Sequence, residues 1–395
     1  MEYRKFKADH IFTGFELIEG NKVLVTGNEG MILDILDDGD AGEDILQFSG
    51  MLCPGFINCH CHLELSHLKG VIPEGTGLVD FILKVVNGRQ VEEGIILQAI
   101  ADAEKEMWQN GIVAVGDICN HTSTIPQKLK GRLLYHNFIE VSGFPPAIAE
   151  ARFLHSKNIL DSFHAVFSPA QSTISPHAPY SVSQDLFQLI SNFSGNRLLT
   201  MHNQETVAEN EFFTKGHGDL LRLYEQMGIG ISFFKPVGKS SLQTVLPYFN
   251  KNQPVILVHN VSTSAKDIDH IQYAMANQQC AVQICLCPNA NLYISNTLPD
   301  IDLLISKGCT IVLGTDSLAS NHQLSILEEM KTLQKNFPLL EMTRLLQWAT
   351  INGARALKLD DKLGSFEQGK KPGVVLLEGL DEEGLITSAR ARRII

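Results

Sequence analysis

A chain of 395 residues, 44% hydrophobic and 19% charged, is too long for one small core and suits two ordinary domains or one large barrel with an appendage. Its formal charge of −12 argues against a nucleic-acid or anionic-membrane partner, because both need a basic face, and no window approaches the ~18 uninterrupted apolar residues of a membrane span. Eight cysteines without a CxxC pair, and a start (MEYRKFKADHIF) without an apolar signal core, are what reduced thiols in a cytoplasm lead one to expect.

The first fifty residues read as short strands between tight turns: HIFTGFELI, NKVLVTG, MILDIL and DILQF, set off by Gly, Asn and Asp. From Met51 the texture changes to short apolar runs ending in polar tips, with helix-like stretches between them. FINCHCHLE comes first, followed by the helical VEEGIILQAIADAEKEMWQNG. Then come IVAVGDICN, RLLYHNFIEVSG, STISPHAPYS, RLLTMHNQET, PVILVHNV, AVQICLCPN and CTIVLGTDS. Repeated strand–helix alternation means a parallel sheet, and eight units close into a TIM-type (β/α)8 barrel, expected over residues 54–352. After a last helix, EMTRLLQWATINGARALKL, the tail GSFEQGKKPGVVLLEG turns strand-like again. Residues 353–395 are therefore expected to return and pair with residues 1–53 in one small β-sandwich, giving an α/β protein with a β appendage built from both chain ends.

In such a barrel, polar residues at the C-terminal ends of strands are the expected functional ones. Here they are His60 and His62, His177, His202 with Glu205, His259, and Asp316. His60 and His62 are two apart on a strand and so share a face, leaving Cys59 and Cys61 to point toward the helices. CHCH thus reads as a two-nitrogen chelate and not a thiolate site. Imidazole and carboxylate are normal partners of a divalent ion. A buried His is often only a hydrogen-bonded core residue, and an Asp after Gly-Thr is often a turn. Several of them at the same end of different strands are hard to explain that way.

PGFINCHCH, HNQE, LVHN and LGTDSLASN resemble, in order, four signature segments of the amidohydrolase superfamily, and GARALKL…LGSF…GKKPGVVLL resembles its C-terminal signature. The resemblance spans nearly the whole chain and is to the mononuclear deaminase and chlorohydrolase branch. Binuclear relatives bridge two ions with a carboxylated Lys after strand four, where this chain has STISPHAPYS with no Lys and with His177 at the tip. The resemblance implies one divalent ion, zinc or iron, on His60, His62, His202 and Asp316. It further implies Glu205 as the proton shuttle at a substrate ring nitrogen, His259 as the hydrogen-bond partner of hydroxide or substrate, and Asp316 as acceptor of the water proton. The reaction so implied is hydrolysis of a non-peptide carbon–nitrogen bond, with ammonia released from a small amino-heterocycle or nucleoside.

SPHAPYSVS resembles the strand-four segment of methylthioadenosine/S-adenosylhomocysteine deaminases, and HCHLELS with HNQETVAENEFF is similar to aminofutalosine deaminases. An adenosine-like substrate follows as the leading class, with His177, Glu64 and Asn291 as candidate contacts. The plainer reading has Glu64 and Glu209 as solvated or capping residues and His177 as a brace for its loop. Other outcomes for the same metal site are dechlorination of a triazine or opening of a cyclic amide, and a third class is a non-catalytic barrel. The triplet His62-Leu63-Glu64 satisfies the HxE of another zinc-deaminase scaffold, but no PCxxC accompanies it. Leu286 and Ala290 stand where the branch usually has His and Ser, and Pro372-Gly373 where it usually has Ala-Asp. A homodimer is compatible with all of this.

Overall fold

The computed structural model describes residues 3–19, 21–250, 253–277, 280–380, 386 and 388–395. Met1, Glu2 and most of 381–387, which belong to the segments expected in the sandwich, lie outside the described residues. Each of the eight apolar runs forms a strand: β1 (Phe56–Cys61), β2 (Ile112–Cys119), β3 (Leu134–Val141), β4 (Ser172–Pro176), β5 (Leu199–Asn203), β6 (Val255–His259), β7 (Val282–Leu286) and β8 (Ile311–Leu313). They pair in parallel within two four-stranded sheets, ordered β4-β3-β2-β1 and β5-β6-β7-β8. Nearly every residue of these strands is buried, which is why they read as continuous apolar runs: a parallel strand is covered on both faces.

The two sheets meet along both outer edges. The amide of His202 in β5 donates to the carbonyl of His177 just beyond β4 (2.9 Å), and the amides of Thr315 and Asp316, just beyond β8, both donate to the carbonyl of His60 in β1 (3.0 Å each). Between β1 and β2 lies the helix Leu78–Gly88, whose Leu78, Phe81 and Val85 are buried. Their i, i+3, i+7 spacing gives the helix one apolar face.

The two chain ends meet in a second layer. Val374–Glu378 pairs antiparallel with Met51–Pro54 (Leu376 opposite Leu52), inside a five-stranded sheet that also holds His10–Phe12, Leu17–Glu19 and Arg390–Arg393. A four-stranded sheet of Tyr3–Lys7, Lys22–Gly27, Ile32–Asp37 and Ile45–Gln47 lies against it. Phe6, Leu24 and Ile32 of the one share a core with Ile11, Leu52, Val374 and Leu376 of the other. HIFTGFELI, read as one strand, is in fact a hairpin of two. Thr13 donates its amide to the Glu16 carbonyl, and Gly14 sits at φ 105° where a Cβ would come within 2.5 Å of the Gly364 carbonyl oxygen. Only glycine accepts that backbone and that approach.

Candidate active site

Strand alternation does to CHCH what its spacing requires. The rings of His60 and His62 stand 4.9 Å apart on one face, while the Cys59 thiol turns away to the helix carbonyl of Gly353, at 3.8 Å. His202, next to last in β5, brings its ring to 4.8 Å from that of His60. Asp316 lies beyond β8 at φ 56°, with Oδ1 3.5 Å from Nε2 of both His60 and His62. Ser320 donates to its other oxygen at 2.6 Å. Gly314 lets β8 come this close: a Cβ there would lie 2.8 Å from the Cβ of His60.

Ligand nitrogens of His60, His62 and His202 all lie within 4.8 Å of one another. Both ring nitrogens of His60, Nδ1 of His62 and Nε2 of His202 are buried without a hydrogen-bond partner, although buried polar atoms are nearly always paired. Burial pushes His62 down to about 3 and lowers His60 as well, so both imidazoles are neutral, the form that ligates metal. Asp316 is buried, which opposes ionisation, yet the imidazole nitrogens of His60 and His62, each 3.5 Å from Oδ1, hold it well below the usual carboxylate range. His202 differs: burial opposes its charge, but the Glu140 carboxylate beside it raises it to about 9, so an ion there would take the place of that proton. Two neutral imidazoles with orphaned lone pairs beside an ionised carboxylate are the core of a donor set for a divalent cation, and these residues fit the implied ion.

The other expected residues surround this cluster. Gln204 takes φ 48° and His259 and Asn260 take φ 74° and 60°, sharp turns at the ends of β5 and β6. Glu205 is 5% exposed, and its Oε1 lies 3.7 Å from Nε2 of His259. Burial raises its pKa to about 8. Behind it, the carboxylate of Glu209 accepts the Gln204 amide at 3.0 Å. His259 Nε2 is 3.1 Å from His202 Nδ1, and its Nδ1 is 3.0 Å from the Asn291 amide. Asn291 therefore touches the cluster through His259. His177 is braced by Ser181 through a 2.6 Å contact at Nδ1 and stands 4.9 Å from the His202 ring. Glu64 does not reach the cavity: its Oε2 accepts the amides of Asn120 (2.9 Å) and His121 (3.3 Å).

One participant was not singled out in the sequence. Glu140, near the end of β3, places Oε1 3.6 Å from Nε2 of His202 and accepts from Asn120 Nδ2 at 3.1 Å. With His177 and His202 it forms a second group close enough to share an ion. Its signal was the shared one, a polar residue near a strand tip (NFIEVSG), but a single Glu in such a run has no spacing pattern to mark it. The cluster opens into a cavity of about 210 Å³, whose apolar wall is Leu78, Phe81, Ile82 and Val85, with the Arg89 and Arg152 cations also lining it.

The model of the amidohydrolase family matches residues 51–393. A 5-methylthioadenosine/S-adenosylhomocysteine deaminase of Desulforamulus reducens is 27% identical over 387 residues, which cover 93% of this chain and 81% of that one. The crystal structure of Helicobacter pylori aminofutalosine deaminase in complex with methylthio-coformycin superposes with a TM-score of 0.80 at 23% identity, covering 99% of this chain and 100% of that one. An adenosine deaminase of Xanthomonas campestris with bound zinc gives 0.72 at 21% identity, covering 98% and 89%. At that identity both crystal structures speak for the fold.

Proposed function

The chain belongs to the amidohydrolase family, and we propose from that premise that it is a hydrolase removing the amino group of an adenosine-like nucleoside as ammonia. The relatives named for adenosine, 5′-deoxyadenosine, methylthioadenosine and aminodeoxyfutalosine deamination support this substrate class. His60, His62, His202 and Asp316 would hold one divalent ion, zinc in the first instance. When bound, such an ion acidifies water toward a pKa of ~7 and so supplies a nucleophile at neutral pH.

The rest of the chemistry belongs to the protein. An amino-purine resists addition because its ring is aromatic, and a proton on the ring nitrogen beside the amino-bearing carbon removes that resistance. Glu205 is the group to deliver it. The single observation that carries the reading is this carboxyl, buried at the cluster with Oε1 3.7 Å from Nε2 of His259, since a purely structural metal site needs no acid beside it. Asp316, ionised and steadied by Ser320, accepts the proton of water. Nε2 of His202 is the nitrogen left free for the ion. Its proton then sits on Nδ1 and is donated to Nε2 of His259, and that order asks Asn291 to turn its amide oxygen to Nδ1 of His259. Water and amine are consumed, and carbonyl and ammonia are formed. His177 and Glu140 face the same space and are the substrate contacts we would test first.

We infer further that the eight strands close into one (β/α)8 barrel over 54–352, supported by the hydrogen bonds at both sheet edges. Residues 1–53 and 353–395 then make up one β-sandwich, supported by their shared sheet and core. No described helix is long and apolar enough to cross a membrane, and all eight cysteines are unpaired, which suits a cytoplasmic setting. The test is a substrate panel of adenosine derivatives, guanine, chlorotriazines and cyclic amides, read for ammonia, chloride and acid. Ammonia from an adenosine derivative is the expected result. Chloride or ring-opened acid alone would transfer the same site to the other hydrolyses.

A further inference from the structure

Outside the cavity, two carboxylates reach across the same gap in opposite directions. Asp117, fully buried on β2, accepts the amide of Leu63 at 2.9 Å. Leu63 is the residue after His62, where the chain leaves β1 for a short 3-10 turn, Leu63–Leu68. In return Glu64, on that turn, accepts the amides of Asn120 and His121 just past β2 and pairs with Nδ1 of His121 at 3.1 Å. Each strand end thus holds the other's main chain. The Asp117 carboxylate is itself held at 2.5 Å by Lys128. The buried ammonium gives its other two hydrogens to Asn137 Oδ1 (2.8 Å) and Cys119 Sγ (3.2 Å) and lies over the rings of Tyr135 and Phe163.

So costly a pair needs a reason. A buried ion pair is often no more stable than a pair of well-packed apolar residues, so stability alone does not explain its presence. What it provides is a fixed acceptor for one amide, held in place by the ammonium beside it.

We propose that Asp117, ion-paired with Lys128, is a positioning residue for the metal centre: by fixing the Leu63 amide it sets where the main chain places the His62 imidazole. The proposal rests on the reading of His60 and His62 as ligands. Groups that orient metal ligands are typically worth 10–100-fold in affinity, and this one acts through the backbone.

The test compares two double variants of the full chain, Asp117→Leu/Lys128→Met and Asp117→Asn/Lys128→Met. Both lack the ion pair, and only the second keeps an oxygen for the Leu63 amide. Zinc affinity of each metal-free protein is read by competition with a chromophoric chelator, and melting of the same samples shows whether the fold is kept. The leucine variant should bind zinc ~10–100-fold more weakly and the asparagine variant within about threefold of the parent. If the leucine variant does not fold, Asp117→Ala/Lys128→Met, which removes bulk and keeps the comparison, takes its place. Equal zinc affinity in the folded variants with and without the acceptor overturns the proposal. Parent affinity that His62→Ala does not weaken would instead remove the ligand reading beneath it.

Discussion

Glu205→Gln isolates the acid from everything else at the site. The amide has the shape of the carboxyl it replaces and leaves His60, His62, His202 and Asp316 untouched, so metal content should not change. The size of the effect follows from the carboxyl's surroundings. A Glu with its ordinary pKa of 4.5 would be protonated at pH 7 in about one molecule in 300, whereas burial holds Glu205 protonated up to about 8. The fold therefore favours the acid form in the metal-free site, and removing the acid should cost turnover within the ~10²–10⁴-fold span of general acids. A cation in the neighbouring site draws this pKa back toward neutrality, which is where a proton donor works best. The assay is ammonia release from an adenosine derivative at saturating substrate, beside zinc content by elemental analysis. A substrate whose ring already invites hydroxide should regain part of the loss, because protonation matters less to it. Near-parental turnover by a zinc-loaded Glu205→Gln protein would refute the reasoning and leave the proton chemistry to Asp316 and His259.

The purified protein should carry about one divalent ion per chain. Two tightly held ions in active protein, checked by elemental analysis, would instead bring Glu140 and His177 into the metal site. His202→Ala should lose zinc and activity together, with activity down at least ~10²-fold. Asn291→Ala should lower kcat by ~10–100-fold by freeing His259, and Asn291→Asp, which keeps an oxygen, should recover part of it. Stability should also depend on pH through Glu205. In metal-free protein the folded carboxyl keeps its proton to about 8 while the unfolded one releases it near 4.5, so the native state binds more protons between those values and loses stability as pH rises through them. Glutamine does not titrate, so the melting temperature of Glu205→Gln should gain on the parent from pH 5 to pH 8, a trend that thermal melts with chelator present would show.

What the sequence made readable was what period and spacing encode. Two-residue alternation set His60 and His62 on one side and Cys59 on the other, and all eight apolar runs became strands of parallel sheets. The return of the C-terminal tail to Met51–Pro54 was legible because strand-like texture reappears after Gly364. Partnerships between residues far apart in the chain were not legible. Glu64 sits four residues from His60, yet its carboxylate is turned to the loop after β2, since the strand ends at Cys61 and the 3-10 turn carries Glu64 away from the histidine cluster. Glu140, Asp117 and Lys128 look like ordinary strand and helix residues until the sheets bring them to His202 and Leu63. The hairpin at Gly14 was hidden because Thr-Gly interrupts an apolar run without the two-residue turn sequence that would announce it.

The left-handed backbone at Gln204, His259, Asn260 and Asp316 has a consequence for anyone who would engineer this protein. Gln204 and His259 there each cost roughly 1–2 kcal/mol that glycine would not, while Asn260 and Asp316 are of the types that tolerate it better, and the fold's whole margin is of order 5–15 kcal/mol. Glycine at Gln204 or Asn260 would relieve that torsion but delete a buried side chain, the one bonded to Asn210, Asp267 and Thr263 and the other to Asn203 and the Leu257 carbonyl, and would slacken the bend that aims Glu205 or His259. Strain and buried bonding are locked together at the same few torsion angles, so hardening of the scaffold is better sought in the terminal sheets, which lie away from the cluster.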